Sequence, residues 1–159
     1  MKFINFFLLI LLFATIFSCS VEKKEVEKIE PKIIFPDGFV VDVRLAISES
    51  EKALGLMFVP ELNDNQGMFF INDYDSLNPY WMKNCLINLD LIFLDKDLNI
   101  VDIIDNVPPC EIEPCPLYSP SNFYRYVLEV RGNLAKEHNL KPNDKIVVVG
   151  FSLITFVTN

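Results

Sequence analysis

Glycine and histidine are scarce in this chain: its 159 residues include five glycines and a single histidine, His138. Gly55, Gly67 and Gly132 stand apart from one another, so no glycine-rich loop is available to cradle a phosphate. One histidine cannot build a His-rich zinc site, and its flanks lack metal-ligand spacing. There is no Gly-x-Ser-x-Gly elbow on which a hydrolase triad would turn. Basic residues are in deficit, with 14 Lys and Arg against 22 Asp and Glu and a formal net charge of -8. Such a surface does not attract nucleic acid or anionic head groups. Internal repeats and low-complexity tracts are missing as well. These absences argue against common catalytic classes, and no cofactor is expected.

One long apolar run is present, at the start. Lys2 supplies a short positive region, and Phe3–Phe17 is interrupted only by Asn5 and Thr15. That length suits the core of a signal peptide and is short for a span of about 30 Å of hydrocarbon. The run closes on Ile16-Phe17-Ser18-Cys19, which resembles the lipobox of bacterial lipoproteins, where a small residue precedes an acylated cysteine. Cys19 is therefore the expected lipidation site, and residues 1–18 the signal peptide. The expected location is the extracytoplasmic side of a bacterial envelope, with the membrane a partner through the acyl chains. Residues 19–35 read as a charged tether: Val21–Lys32 holds four Glu and four Lys with almost nothing to bury.

Residues 36–159 make one ordinary domain. Phe39–Ile47 alternates and is rich in valine, the pattern of a strand. Ser48 and Glu51 form a capping box for a short helix that ends before Pro60. Gly67–Ile71 reads as a strand, Leu86–Val107 as a hairpin turning at Asp95-Lys96-Asp97, and Tyr124–Val130 as another strand. A second short helix is expected within Gly132–His138, then short strands at Lys145–Val149 and Ser152–Val157. Pro108–Pro120 is a proline-rich loop. The fold class that follows is mostly β, a small sandwich or barrel-like domain with two short helices.

Several of these segments together resemble the DUF192 family, also called UPF0127. They are Gly55-Leu56-Met57, Gly67-Met68-Phe69-Phe70, the stretch Trp81-Met82-Lys83-Asn84 through Leu89-Asp90 to Phe93-Leu94-Asp95, and Tyr126-Val127-Leu128-Glu129 with Gly132. The resemblance spans roughly residues 40–150. It implies a compact β-rich fold and an exported or membrane-attached protein, and it carries no established activity. Cys85 stands where the family usually has threonine, Asn88 where it has proline, and Asn143 where it has glycine. Cys85 removes a hydroxyl that a nucleophile or donor would need.

Trp81, Lys83, Asn84 and Asp90 form the candidate ligand-binding set. In the functional reading they line a pocket in which Lys83 and Asn84 meet an anionic or carbonyl-bearing ligand while Trp81 stacks on it. In the structural reading Asn84 and Asp90 satisfy backbone groups, Lys83 pairs with Asp90, and Trp81 is core. Cys110 and Cys115, close together outside the cytoplasm, are expected to be disulfide-bonded as a structural staple, which leaves Cys85 unpaired. Met57, Met68, Met82 and His138 could suit a soft metal ion, but the methionines lie in apolar segments and no metal site is expected. The functional expectation is a non-enzymatic envelope lipoprotein that binds a small ligand or polymer around Trp81–Asn84. The alternatives are an accessory domain that binds another envelope protein and an enzyme of unrecognised class.

Overall fold

The computed structural model describes residues 30–150. The signal peptide, Cys19, most of the tether and the strand expected at Ser152–Val157 lie outside those residues. Nine strands and two short helices follow in chain order. They are β1 (Lys32–Ile34), β2 (Val40–Ala46), α1 (Glu49–Leu54), β3 (Gln66–Ser76), β4 (Tyr80–Trp81), β5 (Leu89–Leu94), β6 (Ile100–Val107), β7 (Leu117–Tyr118), β8 (Tyr124–Arg131), α2 (Leu134–Glu137) and β9 (Val147–Val149).

Seven strands form one curled sheet in the order β6-β5-β8-β3-β2-β1-β9, and β4 pairs with β7 as a separate ribbon. The fold is thus mostly β, a half-barrel rather than two stacked sheets. Only β2 and β3 run parallel, which requires a crossover between them. That crossover carries α1, held at its start by the Ser48–Glu51 capping box. At the far ends of the sheet, Asn99 and Lys145 bridge and Ile146 N–H donates to the Leu98 carbonyl at 3.1 Å. These bonds bring the start of β6 to the segment entering β9.

Strand pleating sends alternate side chains to opposite faces, and here both faces are covered. Phe69, Ile92, Leu128 and Val130 enter one core layer, which Leu134, Ala135 and Leu140 close. Met68, Phe70, Leu91, Phe93 and Val127 enter the other, which Leu56, Met82 and Tyr124 close. All six residues of β5 are buried as a result, which explains its lack of alternation.

The folded domain begins earlier than composition indicates. Ile33 is buried and β1 pairs with both β2 and β9, so residues 32–35 of the segment read as tether belong to the fold. The proline-rich loop also holds a small element, since β7 pairs Leu117 with Trp81 and Tyr118 with Tyr80.

Candidate functional site

The second core layer is incomplete where β3 passes its bulge near Ser76, and a cleft of about 360 Å³ opens there. The segment after α1 (Gly55, Met57), the outer half of β3, the β4 segment through Cys85, and Tyr124 and Glu129 of β8 enclose it. Tyr80 stands edge-on to Phe70 and Phe93, with centroids 5.6 and 5.8 Å away, and forms an aromatic wall. The Tyr124 hydroxyl donates to the Asn78 carbonyl at 2.9 Å.

Glu129 lies in this cleft. In β8 it stands opposite Met68 on one side and Leu91 on the other, a carboxyl between two core residues. It is 6% exposed. Among the described residues its side chain accepts no hydrogen bond and meets no cation. Desolvation alone pushes it from 4.5 up to about 8, because a low-dielectric wall disfavours the charged form. Beside it, burial and then Glu129 push the Cys85 thiol up to about 11, so Cys85 stays a thiol at neutral pH and is a poor nucleophile. Burial likewise raises Tyr80. A further polar group, the Asn72 Nδ2 on β3, is buried with no partner.

The sequence-predicted residues are distributed unevenly. Trp81 lines the cleft mouth and is 49% exposed, so it is not a core residue. Lys83 lines the cleft as well, with Nζ 5.6 Å from the Trp81 ring centroid. It pairs with Glu113 at 2.8 Å rather than with Asp90. Glu113 reaches it because the Cys110–Cys115 disulfide and the Cys110 N–H bond to the Met82 carbonyl dock that loop on the β4 segment. Asn84 sits outside the cleft lining. Its φ of 55° makes the turn that lets its carbonyl accept the Phe58 N–H at 2.8 Å, a conformation asparagine tolerates.

Asp90 is fully buried, away from the cleft, and its carboxylate accepts the backbone N–H groups of Asn106, Asn133 and Ala135 at 2.7, 2.9 and 2.8 Å. It therefore ties β5 to β6 and to the start of α2. Nearby, Gly132 packs so closely that a Cβ would lie 2.5 Å from Asn106 Oδ1. Much of the motif that makes the chain recognisable thus builds a junction, not a pocket.

The set Trp81, Lys83, Asn84 and Asp90 is therefore not one site: the first two meet at the cleft and the others support the fold. Sequence reasoning missed Glu129 and Asn72 as cleft residues. A signal was present for Glu129, a lone carboxylate inside the apolar run Tyr126-Val127-Leu128-Glu129-Val130.

Among the described residues there is no group of three or more His, Cys, Asp or Glu placed to hold a metal ion. No helix there is long and apolar enough to cross a membrane.

The pattern of the DUF192 family, described as an uncharacterized ACR, matches residues 33–148. A crystal structure of a protein of unknown function from Novosphingobium aromaticivorans is 32% identical with a TM-score of 0.67, covering 74% of this chain and 83% of that one. Another, from Sinorhizobium meliloti and named a "putative transcription regulator", is 27% identical with a TM-score of 0.67, covering 76% and 93%. No curated protein matches this chain.

Proposed function

This chain belongs to the DUF192 family, which brings no activity with it, and from its own cleft we propose a lipid-anchored envelope protein that binds a small ligand. The observation that carries the binding reading is the cleft of about 360 Å³ with the buried, unpartnered Glu129 carboxyl in it and Trp81 at its mouth. The cleft sets aromatic wall (Phe70, Tyr80, Trp81 and Tyr124) beside convergent polar groups, a combination that small-molecule sites use for surface and for orientation. In the same cleft, Asn72 Nδ2 is buried without a partner, which costs on the order of 1–3 kcal/mol, a cost that a bound ligand can offset. The thiol state of Cys85 favours binding over nucleophilic chemistry. The address rests on the apolar run ending at Ser18-Cys19. A net charge of -8 does not suit a phosphate backbone, which argues against DNA binding of the kind named for the Sinorhizobium relative.

Trp81 is the single tryptophan of the chain, so its fluorescence reports on the cleft mouth. A fragment library screened by emission is expected to yield compounds whose shift saturates, with Tyr80→Ala weakening them at least tenfold while circular dichroism stays unchanged. Hits indifferent to Tyr80→Ala, or no saturable hit at all, would sink the binding reading.

A further inference from the structure

The charges around the cleft identify the class of ligand. Five charged side chains line it: Glu49, Lys52, Asp73, Lys83 and Glu129. Both lysines are already engaged, Lys52 with Glu49 at 3.1 Å and Lys83 with Glu113 at 2.8 Å. Asp73 and Glu129 have no hydrogen-bond or ion partner among the described residues. The uncommitted charge in the cleft is therefore acidic, and the deeper group, Glu129, is more than nine-tenths buried between Met68 and Leu91. An anionic ligand would have to compete with Glu113 for Lys83 and then approach a carboxyl.

Resting on the binding reading above, we propose that the cleft takes a ligand with a protonated amine, which seats against the Glu129 carboxylate while an apolar or aromatic portion lies against Tyr80 and Trp81. Amine and carboxylate form a charge-assisted pair, stronger than a neutral hydrogen bond in a site removed from water. The aromatic faces toward the mouth add cation–π and stacking surface. Asn72 Nδ2, buried and unpartnered in the same cleft, supplies a donor for a carbonyl on the same ligand. Seating the amine requires Glu129 to release its proton to solvent, so binding tightens as pH rises toward the point at which Glu129 ionises in the empty cleft. Tyr80 and Cys85 face the carboxyl and both stay protonated over that range, so Glu129 is the titrating group.

The test uses the full chain in dodecyl maltoside and three probes of equal shape, read by Trp81 emission. They are benzylamine (cationic at neutral pH), benzyl alcohol (neutral) and benzoate (anionic). Benzylamine is expected to bind saturably and to tighten about tenfold or more between pH 6 and 8. The other two should bind at least tenfold more weakly at pH 8. Glu129→Gln, which keeps the volume, should weaken benzylamine at least tenfold at pH 8 and remove its pH dependence. Equal binding of benzyl alcohol or benzoate, or an unaffected Glu129→Gln, overturns the inference and leaves the cleft standing as a binding site. No response to any probe overturns the inference; the cleft reading itself is decided separately, by the fragment library and Tyr80→Ala. If Glu129→Gln does not fold, the wild-type profile decides: tightening of benzylamine by about tenfold or more from pH 6 to 8 with benzyl alcohol unchanged supports the proposal, and anything less overturns it.

Discussion

Glu129 and Asp90 show how differently two buried carboxyls are treated in one small fold. Asp90 is enclosed by three backbone N–H donors, so both of its buried oxygens have partners in the chain itself. Glu129 has no such donors, and burial pushes it up to about 8. The sign of its effect on stability follows. As pH rises, the unfolded carboxyl loses its proton near 4.5 while the folded one keeps it until about 8. The folded state binds the extra proton across that window, so this group's contribution falls from pH 4.5 to 8 and levels off above. Glu129→Gln is expected to abolish the fall. The variant should match the wild type near pH 4.5 and exceed it by a few kcal/mol near pH 9. Urea unfolding at both pH values measures this; parallel pH profiles for the two proteins would show that Glu129 titrates normally.

Among the elements, β3 is held on both sides, paired in parallel with β2 and antiparallel with β8. Gly67 near its start has no room for a side chain: a Cβ would lie 2.8 Å from the Glu129 carbonyl oxygen and 3.1 and 3.2 Å from methyl carbons of Val130 and Val41. The first contact is with backbone in a neighbouring strand and cannot yield by a rotamer change. Gly67→Ala should therefore destabilise the domain by about 1–3 kcal/mol and, by pushing β8 away, broaden the Glu129 end of the cleft. A lowered denaturation midpoint with unchanged m-value is the expected record; a neutral Gly67→Ala would mean that the strands part freely. The disulfide loop is docked on the β4 segment. Closing so short a loop stabilises by about 2 kcal/mol on chain-entropy grounds, and its local consequence is to present Glu113 to Lys83.

At the scale of the whole molecule, an acidic chain folds over its described residues into a half-barrel with hydrophobic layers on both faces of its sheet. Among the described residues those layers are buried within one chain. The expected attachment is separate from them, through Cys19 ahead of the charged stretch. Cys19→Ser is predicted to move the protein from the membrane fraction to the soluble one without changing its melting temperature. Fractionation of cells expressing both forms checks this, and an unchanged membrane fraction would exclude lipidation at Cys19 as the anchor.

Local pattern by itself determined most of the elements. Alternation in β2, the Ser48–Glu51 box, the hairpin of β5 and β6 and the run in β8 all follow from interactions between near neighbours. Asn139 and Asn143, with φ of 54° and 76°, stand in turns for which asparagine is suited. Legibility failed where partners are distant. The three residues of β1 form a strand only because β2 and β9 flank them, so composition placed them in the tether. The site divided for the same reason. Trp81 and Lys83 are close in sequence to Asn84 and Asp90, but the turn at Asn84 and the burial of β5 send the latter pair away from the cleft. Glu129, 48 residues beyond Trp81 in the numbering, enters it because β8 pairs between β3 and β5. Which charges remain unpaired was likewise decided by tertiary structure, since the partner of Lys83 comes from a loop 30 residues away, and no local pattern specifies such a pairing.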